Sequence, residues 1–341
     1  MPVLASSQFI SFLFDFLSRA GFFPSLLLIS IATTCSALEY STTNPDEPIQ
    51  PVSEDKSLNP DKILLGRSLF FDPRLSRDNS ISCASCHVLQ KGGMDNQKVS
   101  TRVNQAKGEL NAPTVYNTRF NLAQFWDGRA YTLAEQVSDP VHNPVEMATT
   151  WPDVVARLKK DRVFTRQFEK IYPDGLNVAN ISNAIAEFEK SLNTINSPFN
   201  RYLAGDQNAI SIQALQGYKL FKSFGCTACH QGANIGGNMY QKMGVMADYF
   251  SDRGTPISKA DLGRYNVTLD EYDKYIFKVP GLRMAVMTAP YFHDGSEPTL
   301  RSAINKMTKY QLGREISDQE IQLIMDFLSS LVGEHVELKR P

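Results

Sequence analysis

The feature that most constrains this chain is a five-residue pattern, Cys-x-x-Cys-His, which occurs twice. Its members are Cys83, Cys86 and His87 in the first copy and Cys226, Cys229 and His230 in the second. A pair of cysteines with this spacing fits a disulfide, a redox-active dithiol or half of a zinc site. None of these explains why a histidine follows the second cysteine in both copies.

Covalent attachment of a c-type haem accounts for all three positions. Two thiols form thioethers with the vinyl groups of the porphyrin, and the histidine that follows binds the iron as an axial ligand. The chain has five cysteines, and the fifth, Cys35, lies in a predicted export signal. Because the two patterns use the other four, the sequence predicts two covalently bound haem c groups.

A similar phrase precedes each pattern, GRSLF at residues 66–70 and GYKLF at residues 217–221. Apolar residues around both phrases recur at spacings of three and four, which indicates a helix leading into each attachment loop. We interpret this as an internal duplication. The sequence therefore predicts a mainly α fold with two cytochrome c-like domains, at residues 61–200 and 201–335, each with one covalently bound c-type haem.

Further helices are predicted from apolar periodicity at residues 151–171 and 178–193. Ser317 and Glu320 form a capping-box pattern that opens another helix, and Gly333 is expected to end it. Alternating patterns typical of strands are scarce, which agrees with the mainly α prediction.

The first 37 residues differ in composition from the rest. Residues 22–34 are an uncharged, mostly apolar run, and small residues at positions 35–37 favour an export signal cut after Ala37. The run is shorter than the roughly 20 residues that span a bilayer, but residues 1–20 are apolar too, so an uncleaved anchor is the alternative. Export predicts a periplasmic location, and the polar, proline-rich residues 38–60 predict a surface arm.

The net charge argues against one class of partner. Lys and Arg number 35 against 36 for Asp and Glu, which gives a net charge of -1. A nucleic-acid-binding face needs a cationic surplus, so no nucleic-acid partner is predicted.

Two c-type haems imply electron transfer, and any further chemistry depends on the second axial position of each iron. An iron with two protein ligands only transfers electrons, whereas an iron with an open position binds small oxidants. Besides the two histidines of the patterns, the chain has His142, His293 and His335, and its second half is rich in methionines. Spacing alone does not choose the ligand among them.

Residues 55–335 resemble the bacterial di-haem cytochrome c peroxidases and their MauG-type relatives. The resemblance rests on both Cys-x-x-Cys-His patterns and on six ordered phrases: NAPT at 111–114, QFWDGR at 124–129, NPVEM at 143–147, VPGLR at 279–283, TAPYFH at 288–293 and QLG at 311–313. It implies that the C-terminal haem receives electrons and that the N-terminal haem reduces hydrogen peroxide. The implied electron donor is a small periplasmic cytochrome c or cupredoxin, and the implied assembly is a homodimer.

The resemblance also implies roles for residues around the two haems. Glu146 matches the family's distal acid and Gln136 its partner, and together they would handle protons and peroxide at the His87 haem. Trp126 matches the tryptophan that lies between the haems. Met307 matches the methionine that ligates the second iron, and such a thioether ligand raises the reduction potential.

A calcium ion between the domains is implied by the same resemblance. Its ligands would be the side chain of Asn111 and the backbone carbonyls of Thr288 and Pro290. These are hard oxygen ligands of the kind that calcium prefers.

One position departs from the family pattern. Most of these peroxidases have a loop histidine that caps the peroxidatic iron until the other haem is reduced, but Val103 occupies that position here. Valine cannot bind iron, so the N-terminal haem is predicted to be five-coordinate or water-bound even when oxidised. An open position is also typical of MauG-type enzymes, which oxidise a partner protein but have a tyrosine where Met307 stands. A MauG-like oxidase and a non-enzymatic di-haem electron carrier are the alternatives to a peroxidase.

Overall fold

Helices account for nearly all regular structure in residues 47–340, the part of the chain that the computed structural model describes. The predicted signal at residues 1–37 lies outside these residues. The helices are α1 (Pro60–Phe70), α2 (Cys83–Cys86), α3 (Leu133–Gln136), α4 (Ser138–His142), α5 (Trp151–Lys159), α6 (Arg162–Ile171), α7 (Val178–Ser191), α8 (Pro198–Leu203), α9 (Ile212–Ser223), α10 (Tyr249–Arg253), α11 (Tyr265–Thr268), α12 (Leu300–Leu312), α13 (Asp318–Ser330) and α14 (Val336–Lys339).

Two short strands, β1 (Tyr240–Lys242) and β2 (Ile276–Lys278), form an antiparallel pair in which Gln241 is opposite Phe277. The mainly helical fold predicted from the sequence is confirmed for the described residues. Within residues 47–340, no helix combines the length and apolar character that crossing a bilayer requires.

Two pairs of helices cross at a glycine, and the pairs are built alike. In the first, α1 crosses α7, and a methyl group at Gly66 would come 1.8 Å from the carbonyl oxygen of Ala184. In the second, α9 crosses α13, and a methyl group at Gly217 would come 1.8 Å from the carbonyl oxygen of Leu323. Only a residue without Cβ permits backbones this close. The glycines of the two duplicated phrases therefore have the same structural role.

An apolar core surrounds each crossing. The first core contains buried residues of α1, α5, α6 and α7, among them Leu69 and Phe168. The second contains residues of α8, α9 and α13, where the rings of Phe199, Tyr218 and Phe327 lie with centroids 4.8 to 5.1 Å apart. Phe199 precedes the predicted domain boundary at residue 201 but packs in the second core.

The helix predicted at residues 151–171 is wrong as a single element. It is divided into α5 and α6 at Asp161, whose side chain accepts hydrogen bonds from the amides of Val163 and Phe164 and so caps α6. The apolar periodicity continues across this break, which is why the sequence does not indicate it. The helix predicted at residues 178–193 is confirmed as α7.

The capping box at Ser317 is confirmed. Its hydroxyl accepts a hydrogen bond from the Glu320 amide, and the Glu320 carboxylate accepts one from the Ser317 amide at 2.7 Å. The helix ends at Ser330, before the predicted stop at Gly333, because its last turn tightens to a three-residue hydrogen-bond spacing. Gly333 is needed elsewhere, since a Cβ there would come 2.5 Å from the carbonyl oxygen of Ile195.

The surface arm predicted at residues 38–60 is wrong at two described positions. Ile49 is 1% exposed and packs in the second apolar core, and Val52 is 5% exposed. The buried Arg283 side chain donates to the carbonyl of Gln50 at 2.7 Å. Single apolar residues among polar ones carry no periodicity, so the sequence gives no sign that this segment is packed.

Candidate functional site

The first Cys-x-x-Cys-His pattern lies on a single helical turn, α2. The Ser82 amide donates to the hydroxyl of Ser85 at 2.9 Å, which closes the turn at its start. His87 follows α2, and its Nδ1 atom lies 3.2 Å from the carbonyl oxygen of Gly93. A carbonyl only accepts hydrogen bonds, so Nδ1 carries the proton and Nε2 keeps the lone pair that an iron ligand needs.

The second pattern repeats this arrangement on a 3-10 turn, Cys226–Ala228. The Nδ1 atom of His230 lies 3.3 Å from the carbonyl oxygen of Ile235. Burial lowers the pKa of His230 to about 4 and also lowers the pKa of His87, which keeps both imidazoles neutral near neutral pH. Both histidines are therefore held in the tautomer that presents Nε2 as a ligand.

The four cysteines of the patterns form no disulfide with one another. Burial raises the pKa of Cys83 to about 12 and that of Cys226 to about 11, so neither thiol is a reactive thiolate near neutral pH. Within residues 47–340, the one cluster of three side chains able to ligate a metal contains no cysteine and consists of Asp261, His293 and Asp294. The disulfide, dithiol and zinc interpretations therefore find no support in the described residues.

A cavity of about 890 Å³ lies beside the first pattern. It is lined by the three residues of that pattern and by all three residues predicted to be catalytic, Glu146, Gln136 and Trp126. Its size is within the roughly 300–1,000 Å³ typical of ligand and cofactor sites. Two partly buried thiols, a histidine with a free Nε2 atom and a cavity of this size fit a covalently attached haem.

Glu146 reaches this cavity from a tight turn after α4. Its amide donates to the carbonyl of Asn143 at 2.9 Å, and the next side chain, Met147, is buried in the first apolar core. Burial raises the pKa of the Glu146 carboxyl, and the nearby charges of Arg102 and Arg129 oppose this increase. The turn thus places a partly desolvated acid in the cavity lining.

Arg102, which the sequence does not single out, is the ion-pair partner of Glu146. Its Nη2 atom lies 3.0 Å from Glu146 Oε1, and both side chains line the cavity. The next residue, Val103, is 1% exposed, and its amide donates to the Glu146 carbonyl at 3.2 Å. The loop that lacks the family's histidine therefore packs against the segment that carries the acid.

Gln136 is the last residue of α3, a single turn that a capping box stabilises. The Thr132 hydroxyl accepts a hydrogen bond from the Glu135 amide, and the Glu135 carboxylate accepts one from the Thr132 amide, both at 3.1 Å. Gln136 is half-buried and lines the same cavity as Glu146. The structure therefore brings these two predicted residues to one site.

Trp126 connects the cavity to the second half of the chain. Its indole N–H donates to the Asn111 carbonyl at 3.0 Å, and its own carbonyl accepts from the amide of Lys278 in β2 at 2.8 Å. Its ring packs against a cluster that includes Tyr249 and Phe250. Trp126 therefore contacts elements of both halves of the chain.

The segments that carry the residues predicted to bind calcium meet around one loop. Asn111 Nδ2 donates to the carbonyl of Gln97 at 2.9 Å, and the nearby Asn96 side chain donates to the carbonyls of residues 287 and 289, both at 3.0 Å. Three oxygens in this region accept no hydrogen bond from any described residue: Asn111 Oδ1 and the carbonyl oxygens of Thr288 and Pro290. They keep lone pairs that a cation could use.

Met307 lies on α12, one turn after Ile304, and is half-buried. Ile304 belongs to the apolar cluster against which Cys226 packs. The helix that carries Met307 therefore contributes to the surroundings of the second pattern.

The three remaining histidines do not line the cavity. His293 Nε2 lies 2.8 Å from Asp261 Oδ1, and Arg253 pairs with the same carboxylate at 2.7 Å. His335 Nε2 lies 3.1 Å from a backbone carbonyl, and His142 is exposed at the end of α4. His293 and His335 are therefore engaged in local hydrogen bonds, and the Asp261 carboxylate of the candidate metal cluster is already paired with Arg253.

Glu189 is a second cavity residue that the sequence does not single out. It lies on α7, is 6% exposed, and is close enough to Cys83 for its charge to affect that thiol. Its Oε2 atom has no hydrogen-bond partner among the described residues, and burial raises its pKa to about 8. In the sequence it is one charged residue in an amphipathic helix, a position that is usually exposed.

Comparison with known proteins identifies the family. The family model for di-haem cytochrome c peroxidase matches residues 60–208. The chain is 43% identical over 321 residues to the cytochrome c551 peroxidase of Nitrosomonas europaea, with 93% of each chain covered. It is 47% identical over 290 residues to the cytochrome c peroxidase Ccp of Escherichia coli, which covers 84% of this chain but only 62% of that longer protein.

The fold agrees with this relationship. A crystal structure of a MauG-like protein associated with microbial copper homeostasis is similar with a TM-score of 0.74 at 24% identity, and the match covers 88% of this chain and 96% of that chain. From the family-model match and the relatives aligned over most of its length, the chain belongs to the family of di-haem cytochrome c peroxidases.

Proposed function

We propose that this chain reduces hydrogen peroxide to water with electrons from a small periplasmic cytochrome c or cupredoxin. The observation that supports this most is the convergence of Glu146, Gln136 and His87 on one cavity. Relatives at 43% and 47% identity are cytochrome c peroxidases.

Cys83, Cys86 and His87 hold the haem of the first cavity in this proposal. When bound, that haem supplies an iron that binds peroxide and exchanges electrons with it. The reaction consumes two electrons and two protons for each peroxide, H2O2 + 2e− + 2H+ → 2H2O. Side chains that line the cavity transfer the protons.

Glu146 moves a proton between the two oxygens of peroxide. Its carboxylate accepts the proton from one oxygen and returns it to the oxygen that departs as water, where negative charge would otherwise build up. Gln136 holds the peroxide through its side-chain amide. Burial raises the pKa of Glu146, which brings the acid closer to the range in which it both accepts and releases a proton.

The second axial position of the first iron would stay open in the oxidised protein. Val103 stands at the position of the family's capping histidine, and it is buried with its amide bonded to the Glu146 carbonyl. Among the described residues, none of the histidines outside the two patterns lines the cavity. Prior reduction of the second haem would then not be needed to open the site.

The second haem, attached at Cys226 and Cys229, would supply the entry point for electrons, with His230 and Met307 as iron ligands. A thioether ligand raises the reduction potential, as an acceptor of electrons from a small carrier requires. Trp126 is the residue that relays electrons between the halves. Its contacts with both the cavity and β2 support this role.

The Asn111 side chain and the carbonyls of Thr288 and Pro290 would bind a calcium ion. The free acceptor capacity of these oxygens supports the site. The Asn111 carbonyl also accepts the hydrogen bond from the Trp126 indole, so the ion would stabilise the position of the relay residue.

Two haem domains, at residues 61–200 and 201–335, a periplasmic location and a homodimer complete the proposal. The matching glycine crossings support the domains. The predicted signal at residues 1–37 supports export, and the family resemblance supports the homodimer.

A MauG-like oxidase that modifies a partner protein is the second candidate. Val103 favours it, because it leaves the first iron open as in those enzymes. Met307 argues against it, because MauG-type enzymes have a tyrosine at that position.

Steady-state reduction of hydrogen peroxide by the holoprotein, with reduced cytochrome c as donor, tests the proposal. Glu146→Gln should lower kcat/KM by about 10²–10⁴-fold, the usual contribution of a positioned acid–base group. Glu109→Gln, which removes a carboxylate from the lining of the same cavity, is the matched control and should keep the parent rate. Equal rates in Glu146→Gln and the parent would contradict the proposal.

A further inference from the structure

The ion pair between Arg102 and Glu146 lies inside the cavity. The Nη2 to Oε1 distance is 3.0 Å, and the two side chains are 13% and 23% exposed. Both line the cavity together with the first Cys-x-x-Cys-His pattern. An ion pair with this little contact to solvent is screened less than a surface pair and constrains its partners more strongly.

A tight hairpin holds Arg102 in place. Thr101 and Lys107 form an antiparallel bridge, and the Arg102 amide donates to the carbonyl of Ala106 at 2.9 Å. At its tip, Asn104 and Gln105 adopt left-handed φ angles of 56° and 60°. The backbone on either side of the guanidinium is therefore fixed by the hairpin itself.

The hairpin is also attached directly to the turn that carries the acid. The amide of Val103 donates to the Glu146 carbonyl at 3.2 Å, and the Val103 side chain is buried. Two independent contacts, one from the backbone and one from the guanidinium, thus fix Glu146 relative to the hairpin. The carboxylate cannot rotate freely while both are present.

Gly108 makes room for the guanidinium. A Cβ atom at this position would come 2.0 Å from Arg102 Nη1. The backbone of Gly108 is outside the left-handed region, so an alanine there is conformationally acceptable in its own right. Gly108→Ala would therefore act by displacing the Arg102 side chain.

The charges around Glu146 act in opposite directions. Burial favours the protonated carboxyl, Arg102 and then Arg129 favour the carboxylate, and Asp139 favours the protonated form. Other charged side chains that line the cavity are Lys107, Glu109, Asp127, Glu189 and Lys259. Among these, Lys107 lies on the same hairpin as Arg102 but makes no ion pair among the described residues.

We propose that Arg102 is a positioning residue for peroxide reduction, which holds Glu146 ionised and correctly oriented to accept the first proton from peroxide. This inference rests on the proposed function of Glu146 and names a residue that serves it. Without the guanidinium, the carboxyl stays protonated to higher pH and gains rotational freedom. Both changes reduce the fraction of molecules in which the acid can act as a base.

The pH dependence of kcat/KM in the holoprotein tests this inference. In Arg102→Gln the acidic limb of the profile should move to higher pH, with a loss of about tenfold or more on that limb and a partial recovery of the parent rate at alkaline pH. Arg102→Lys should show an intermediate shift because it keeps the charge but not the planar fork. In Gly108→Ala the acidic limb should also move to higher pH. Lys107→Gln is the control, because it removes a positive charge from the same hairpin, and it should leave the pH profile of kcat/KM unchanged.

A second readout does not depend on turnover. The infrared band of the protonated Glu146 carboxyl, identified by its loss in Glu146→Gln, should titrate at higher pH in Arg102→Gln than in the parent. An unchanged titration and an unchanged acidic limb in both Arg102→Gln and Gly108→Ala would overturn the inference, as would a faster reaction in these variants. If Glu146→Gln itself kept the parent rate, the proposed function would fail instead, so the two failures are distinguishable.

Discussion

In both halves of the chain, a helix with a glycine crosses a second helix, and a cysteine pair with a histidine follows. Methyl groups at Gly66 and Gly217 would each come 1.8 Å from the facing carbonyl oxygen, and each histidine hydrogen-bonds a backbone carbonyl through Nδ1. The surroundings of the two histidines differ. Glu146 and Arg102 line the cavity beside the first, whereas the cluster against which Cys226 packs is apolar. The same scaffold therefore supports two different environments, one with charged side chains and one apolar, as the proposed division between peroxide reduction and electron transfer requires.

The second helix of each crossing shows the same contrast at one buried position. In the first crossing, the carbonyl of Ala184 faces the glycine, and Glu189 follows five residues later. In the second crossing, the carbonyl of Leu323 faces the glycine, and Leu328 follows five residues later. Glu189 is 6% exposed and Leu328 is 3% exposed. The equivalent buried position is therefore an acid in the half that contains the cavity and a leucine in the other half. The two halves thus differ in their buried helix residues as well as in the residues around the histidines.

Replacing the glycine of either crossing should cause the largest loss of stability, and it should affect both halves alike. Gly66→Ala and Gly217→Ala each force a methyl group into a backbone carbonyl, which should cost about 3 kcal/mol of unfolding free energy. Urea unfolding of the holoprotein measures the loss. Ser68→Ala, on the exposed face of α1, is the control and should stay within about 0.5 kcal/mol of the parent. A strong effect at one glycine and none at the other would show that the two helix crossings are not equivalent.

Glu189 should make the stability of the first half depend on pH. The unfolded carboxyl releases its proton near its ordinary pKa of 4.5, whereas the folded one keeps it until about 8, so the unfolding free energy falls as pH rises between these values. The loss should be about 2 kcal/mol between about pH 5 and pH 7. Glu189→Gln should remove this dependence, as measured by urea unfolding at a series of pH values.

Glu187→Gln is the matched control for that experiment. Glu187 lies on the same helix, but its carboxylate pairs with Lys190 at 2.8 Å. The control should keep the parent's pH dependence. If the unfolding free energy of Glu189→Gln changed with pH as much as that of the parent, Glu189 would not be the source of the pH dependence.

The caps of the two crossing helices should contribute the smallest and most similar effects. The side chain of Asn177 accepts from the Asn180 amide at the start of α7, and Ser317 accepts from the Glu320 amide at the start of α13. Asn177→Ala and Ser317→Ala should each cost about 1 kcal/mol of unfolding free energy. A cost confined to one of them would show that one half alone limits the stability of the chain.

Features governed by local rules were predictable from the sequence. The helices that carry the duplicated phrases, α7 and the capping box at Ser317 follow from apolar spacing and cap chemistry. The break between α5 and α6 was not predictable, because the apolar spacing continues past the cap at Asp161. The burial of Ile49 depends on a distant segment around Gly232, with which it forms a bridge.

In the candidate site, the haem-attachment residues Cys83, Cys86 and His87 were predictable from their own spacing. The residues around them were predictable only where the family resemblance supplied them. Glu146, Gln136 and Trp126 were found in this way, and they line one cavity. Arg102 and Glu189 were not predicted, because their positions depend on tertiary folding. A hairpin brings Arg102 to Glu146, and α7 brings Glu189 close to Cys83. Neither residue belongs to a motif, so no spacing in the sequence indicates its partner.

Electron paramagnetic resonance of the fully oxidised holoprotein shows whether the first iron is open while the second is closed by two protein ligands. We expect one high-spin iron, at His87, with no second protein ligand, and one low-spin iron ligated by His230 and Met307. Met307→His should move the low-spin signal and leave the high-spin signal unchanged. Two low-spin irons, each with two protein ligands, or a low-spin signal that is insensitive to Met307→His, would contradict this expectation.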